Sequence, residues 1–137
     1  NHSNQYRLTI QNKIISKRML DFGLVKAKTH KIIFPIWLKK PLIRHFVRGY
    51  FDGDGCVSNR IFSIVGTDDF LSDTQNILIK ELGLSKTKFY KRHKESSNNI
   101  VEIRYCGKNN LKKIMNWFYS DATIYLERKY EKFKNYV

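Results

Sequence analysis

The residues best suited to chemistry lie in one short stretch, Phe46-Val-Arg-Gly-Tyr-Phe-Asp-Gly-Asp-Gly55. Two carboxylates, Asp52 and Asp54, close an apolar segment in a chain otherwise crowded with cations. Hard divalent cations such as Mg²⁺ take carboxylate oxygens together with water and phosphate, which one or two Asp residues beside a phosphodiester supply. A cation held in this way activates water and neutralises charge on a leaving oxygen, the chemistry of metal-assisted phosphoryl hydrolysis. Asp52-Gly-Asp-Gly55 also reads as a turn that ends a helix with solvated carboxylates. The residues alone leave both readings open. An EF-hand does not fit: counting from Asp52, Cys56 stands where a third oxygen ligand belongs and Ser63 where a bidentate Glu is needed.

The elements that must position this stretch are legible from periodicity and punctuation. Pro41 opens a mostly apolar helix from Leu42 to about Asp52, ended by the Gly-rich segment. Gly49 and Gly53, four apart, share a face with Leu42 and Phe46, so a second helix could approach backbone to backbone and bring two acidic ends together. Cys56 to Val65 predicts a strand or hairpin turning near Asn59. Thr67 then caps a helix whose first turn carries Asp68 and Asp69 and which Gly83 ends. Lys86 to His93 and Asn99 to Cys106 read as a hairpin, and Leu111 to Tyr119 and Ile124 to about Tyr136 as closing helices. Upstream, residues 6–11 alternate like a strand, Ser16 could cap a helix to about Phe22, and Lys31-Ile-Ile-Phe34 reads as another strand. Trp37, Trp117 and Phe118 are expected in the core.

Twenty-six Lys and Arg against twelve Asp and Glu give a formal charge of +14, which calls for a polyanionic partner. Residues 1–51 hold eleven Lys/Arg and only one acid, Asp21. The charges are interleaved with strand-like apolar residues rather than gathered on one amphipathic helix, which disfavours a membrane surface. In an extended strand Lys86, Lys88, Tyr90 and Arg92 share one face, and Glu102 and Arg104 alternate with apolar neighbours on the next strand. A two-stranded ribbon of this kind fits the major groove of double-stranded DNA, with Ser58, Arg60 and Ser63 as weaker candidates from the first strand. A solvated strand edge guarded by lysines accounts equally well for any single one of them. Cys56 and Cys106 lack metal-site spacing, the four histidines form no ligand set, and no signal-peptide pattern opens the chain. We therefore expect an intracellular protein, cytoplasmic, nucleoid-associated or organellar, rather than a secreted one.

Phe22-Gly-Leu-Val-Lys-Ala-Lys28 is echoed sixty residues later by Leu82-Gly-Leu-Ser-Lys-Thr-Lys88. Each Gly follows a helix signal and precedes a basic strand signal. From the echo we expect the tail of a preceding, truncated unit at about 5–41 and one full unit at about 42–137.

The stretch Phe46 to Gly55, with Leu42-Ile-Arg-His45 before it and Cys56-Val-Ser58 after it, resembles the LAGLIDADG motif of homing endonucleases in its Asp-Gly-Asp form. Further similarity lies in Lys28 to Pro35, in Gly107-Lys108-Asn109-Asn110 and in Leu126-Glu-Arg-Lys-Tyr130. Arg48 and Tyr50 are bulkier than the family's residues at those positions. The resemblance implies an α+β fold, an αββαββα unit whose saddle-shaped antiparallel sheet straddles duplex DNA and whose motif helices pack about a twofold or pseudo-twofold axis. It implies a site-specific double-stranded DNA endonuclease using Mg²⁺ or another divalent cation, with a non-cleaving DNA- or RNA-binding maturase or regulator as the alternative. By the same resemblance Asp54 is the metal-binding catalytic acid, and Asp52 supports the helix end together with Gly49, Gly53 and Gly55. Lys129 or, second, Lys108 would be the basic residue that organises water at the scissile phosphate. Without the family, a lysine in Glu127-Arg-Lys-Tyr130 would be a solvated helical charge. A second unit, supplied by a homodimer or by the missing N-terminal half, would complete the site.

Overall fold

The computed structural model describes residues 9–23, 31–91 and 99–137. Arg92 and His93, residues 24–28 of the echo and residues 6–8 of the first expected strand lie outside the described residues. The elements are α1 (Lys13–Asp21), α2 (Lys40–Asp54), β1 (Cys56–Ser58), β2 (Ile61–Thr67), α3 (Asp68–Leu82), β3 (Tyr90–Lys91), β4 (Ile100–Cys106), α4 (Lys108–Tyr119) and α5 (Glu127–Lys134). From α2 to α4 the order is αββαββα, and the strands form one antiparallel sheet in the order β1-β2-β4-β3.

Local chemistry sets the boundaries. Asn59 and Arg60 both have positive φ, 50° and 60°, the backbone of a two-residue turn whose twist matches the β1–β2 hairpin. The Thr67 hydroxyl accepts from Phe70 N, Asp68 and Asp69 face the positive end of the α3 dipole, and Gly83 closes α3 at φ 60°. Alternate strand residues Val57, Phe62, Ile64, Val101, Ile103 and Tyr105 point to one side and join side chains of α2 to α5 in a single core. At its centre Phe51 is fully buried against Phe62, Phe118 and Phe133, with ring centroids 5.0–5.5 Å away. The other sheet face is left without a helix layer among the described residues.

Several expectations change. Asn12, not Ser16, caps α1 by accepting from Ile14 N and Ile15 N, and residues 9–12 form no strand. Residues 31–34 form none either: Phe34 turns into the core, and Ile32 O is taken by the Thr67 hydroxyl instead of a neighbouring strand. Among the described residues of the strand expected from Lys86, Tyr90 and Lys91 pair with β4 and residues 86–89 do not, because Gln75 of α3 donates to both Thr87 O and Thr87 Oγ1 and draws that backbone toward the helix layer. The last helix is shorter than expected, and residues 120–126 form a loop before it. Trp37 is 57% exposed and stacks on Phe22 rather than entering the core. Trp117 is half-buried and Phe118 fully buried.

Candidate functional site

Helix α2 runs two residues farther than its glycines suggest, so Asp52 and Asp54 are both helical. Two residues on a helix are separated by about 200°, and the carboxylates therefore serve different surroundings. Asp52 turns inward: its Oδ2 accepts from Leu126 N at 3.0 Å and its Oδ1 from the Tyr119 hydroxyl at 3.4 Å. It ties the end of α2 to the loop between α4 and α5. Burial, then the Asp52 charge, raises the Tyr119 pKa and keeps its hydroxyl a donor. Asp54 is exposed on the last turn, and no described side chain hydrogen-bonds or ion-pairs with it.

Three side chains fix this helix end from inside. Lys129 of α5 is 5% exposed, not solvated, and its ammonium donates to Gly55 O and Phe51 O while lying 4.9 Å from the Phe51 ring centroid. A cation at free carbonyls completes a helix C-terminus, and burial lowers its pKa. Arg48 is also buried; it donates to Phe118 O at 2.8 Å and Ile124 O at 3.1 Å and meets His45 Nδ1 at 2.9 Å. Tyr50 packs on Phe70 and donates to Val65 O at 2.9 Å; burial, then the charge of Asp54, pushes its pKa up to about 12.

Because Arg48 and Tyr50 both turn inward, their bulk leaves the outer face of α2 open. A Cβ added at Gly49 or Gly53 would meet nothing within 4 Å, and Leu42 on the same face is half exposed. Gly55 differs, since a Cβ there would overlap the Phe51 ring, so its glycine is required inside the chain. Beside Gly49 a cavity of about 350 Å³ opens between Phe22 and Gly23 at the end of α1 and Phe46 and Tyr50 of α2. Every α1 residue is exposed. Gly23 and Gly83, the two glycines of the echo, both have positive φ after a helix. Lys108 is exposed at the start of α4, and Gly107 N donates to Arg60 O, which puts it beside the tip of the β1–β2 hairpin, at the opposite end of β1 from Asp54.

The uncovered sheet face gathers Cys56, Ser58, Ser63, Glu102, Arg104 and Tyr90, through the registers Cys56↔Ser63↔Arg104 and Glu102↔Tyr90. Arg104 Nη2 donates to Glu102 Oε2 at 2.7 Å, and its guanidinium lies 4.6 Å from the Tyr90 ring centroid; the Lys88 ammonium lies 5.1 Å from the same ring. Lys86 diverges from them: with Lys88 it lines a groove of about 470 Å³ against Ser72, Gln75 and Asn76 of α3. Arg60 sits in the exposed hairpin turn rather than on the strand. Arg92 lies outside the described residues. Among the described residues no three His, Cys, Asp or Glu converge as a metal cluster, and no helix is long and apolar enough to cross a membrane.

Arg48, Tyr50 and Tyr119 were not singled out as site residues from sequence. Arg48 and Tyr119 act through partners 67 to 76 positions away, and no local spacing announces such a contact. Tyr50, fifteen positions from Val65, sits in an apolar run that conceals its hydroxyl.

Residues 41–116 match the family model described as a LAGLIDADG-like domain. The chain is also similar to a probable translation initiation factor IF-2 of Methanocaldococcus jannaschii, 32% identical over 107 residues. That alignment takes in 73% of this chain and 9% of the archaeal protein, so the chain spans a small part of that relative.

Proposed function

Because the chain belongs to the LAGLIDADG-like family of homing endonucleases, we propose that it is a site-specific double-stranded DNA endonuclease unit whose catalytic acid is Asp54. The observation that carries this reading is the exposed carboxylate of Asp54 on the last turn of α2, without a side-chain partner among the described residues, in a chain of charge +14. An oxygen ligand open to solvent suits Mg²⁺, which binds through one or two carboxylates while keeping water and phosphate oxygens. When bound, such a cation supplies water activation and charge neutralisation at the leaving oxygen. Lys129 serves as a positioning residue: its hold on Phe51 O and Gly55 O fixes the peptide on both sides of Asp54. Asp52 anchors the α4–α5 loop. We favour Lys129 over Lys108 because Lys129 reaches the same helix end as Asp54.

One Asp54 is half of a paired site. The outer face of α2, open at Gly49 and Gly53, suits a second unit, either another copy or a preceding half. The uncovered sheet face, with Lys88, Tyr90, Arg104, Ser58 and Ser63, suits the DNA. The similarity to a stretch amounting to 9% of a translation initiation factor favours a homing element carried within a host protein, such as an intein.

The test is incubation of the chain with a randomised duplex pool and Mg²⁺, followed by sequencing of cut ends, with light scattering to report mass with and without DNA. The proposal expects one family of sites at the cut ends, assembly of two units on DNA, and loss of cleavage with retained binding for Asp54→Asn. Tight, salt-sensitive binding by an assembled pair without any cut supports the non-cleaving binding module. Absence of duplex binding overturns both.

A further inference from the structure

Among the described strands, which form the face offered to a polyanion, the sole acidic residue is Glu102. It stands between Val65 and Tyr90 in the cross-strand row, only 6% exposed. A buried carboxylate costs free energy unless paired, and one facing DNA phosphates adds repulsion. Its place is explained by what it holds. Arg104 is two residues along on the same face, with a hydrogen bond of 2.7 Å to Glu102, its guanidinium on the Tyr90 ring and 42% of its side chain exposed. The pair is unequal: the acid is sunk in the sheet and the cation stands out of it.

An arginine that only neutralised phosphate would gain nothing from a buried counter-ion, which weakens its pull on the backbone. A guanidinium clamped by an acid on one nitrogen and by an aromatic ring on one face keeps a fixed plane. It spends one of its five donors on the clamp, and Arg104 has no other hydrogen-bond partner among the described residues. Fixed orientation matters for reading a base edge, where Arg meets guanine O6 and N7 with two parallel bonds. Less rotamer freedom is then lost on binding.

We infer, resting on the reading of this face as a DNA surface, that Arg104 is a specificity-determining residue for a guanine in the major groove and that Glu102, backed by Tyr90, is the positioning residue that aims it.

The test is selection of binding sites from a randomised duplex pool by the wild-type chain, Arg104→Lys and Glu102→Gln, with thermal melts confirming that each variant folds. Arg104→Lys should lose discrimination at one G·C position by roughly tenfold to a hundredfold and leave the other positions unchanged. Glu102→Gln should loosen that same position while overall affinity is unchanged or higher, since a negative charge has left the face. Uniform weakening on all sequences by Arg104→Lys would make Arg104 a phosphate contact and overturn the inference. So would a shift at a different, cytosine-bearing position in Glu102→Gln, which would make the carboxylate itself the reader, or unchanged preferences in both variants. If the wild-type chain binds no duplex, the proposed function falls and this inference with it; if it binds selectively and both variants keep the wild-type preferences, only the inference falls.

Discussion

Replacing Arg48 by Met removes the clamp between α2 and the end of α4 while keeping a long side chain in the same space. Its two bonds to backbone carbonyls vanish, to Phe118 O and Ile124 O, together with the contact to His45 Nδ1. Hydrogen bonds from a charged donor contribute about 1.5–3 kcal/mol each, so the gross loss is about 3–6 kcal/mol. Against it stands the desolvation of a guanidinium that is 7% exposed and forms no ion pair with a described carboxylate, a penalty of several kcal/mol in similar settings. Helix α4 supplies part of the missing negative charge through its C-terminal carbonyls. We expect a net destabilisation of about 3 kcal/mol, a lowering of the melting temperature by about 10 °C for a chain of this size. Arg48→Lys should recover about half, because one ammonium replaces a fork that reaches two carbonyls. Urea denaturation gives the free energy. Hydrogen exchange at Leu126, whose amide is bonded to Asp52, reports whether the loop has loosened locally. If Arg48→Met lies within about 0.5 kcal/mol of wild type and the Leu126 amide exchanges unchanged, the clamp argument is wrong.

Gly49→Leu should leave the isolated unit as stable as wild type, or more so by about 0.5–1 kcal/mol, because glycine is a poor helix former and its Cβ position is open. The same substitution should abolish two-unit assembly and cleavage, and undiminished assembly by light scattering would sink the paired-site reading. Tyr50 has its hydroxyl pKa raised from 10.0 to about 12, so the hydroxyl form is favoured in the fold. Its contribution is complete below pH 10 and is lost as pH rises toward 12, a change of about 1–2 kcal/mol after allowing for its partial exposure. The stability gap between wild type and Tyr50→Phe should therefore shrink across that window; a constant gap would contradict it. Lys129→Met should cost about 1–3 kcal/mol, as Phe51 O and Gly55 O lose their donor. Equal or greater stability of that variant in denaturant would mean that burying the ammonium outweighs its bonds.

The elements that carry the site were legible because their signals are local. Thr67, the Asp68–Asp69 pair and Gly83 bound α3 through contacts within four residues, and Asn59 sets the hairpin turn. Where sequence and structure part, a distant partner intervenes. Lys86 looked like a strand residue until Gln75 claimed Thr87, and Lys31 to Phe34 looked like a strand until Thr67 took Ile32 O. The spacing of Asp52 and Asp54 suggested a pair, but two further helical residues send them to different sides.

The amino-acid sequence by itself determined that this is a basic, strand-and-helix chain with two carboxylates at the end of an apolar helix, and the motif around them identified its family. Charge, periodicity and capping act over a few bonds, so neighbouring residues are enough to read them. Tertiary structure alone decided that Asp52 is tied to Leu126 while Asp54 stands open, that Lys129 is buried against α2, and that Arg48 and Tyr50 leave the glycine face clear. Each of those outcomes depends on which side of a helix meets an element at least fifteen and as many as 78 residues away, and that is settled by packing of the core rather than by any local spacing.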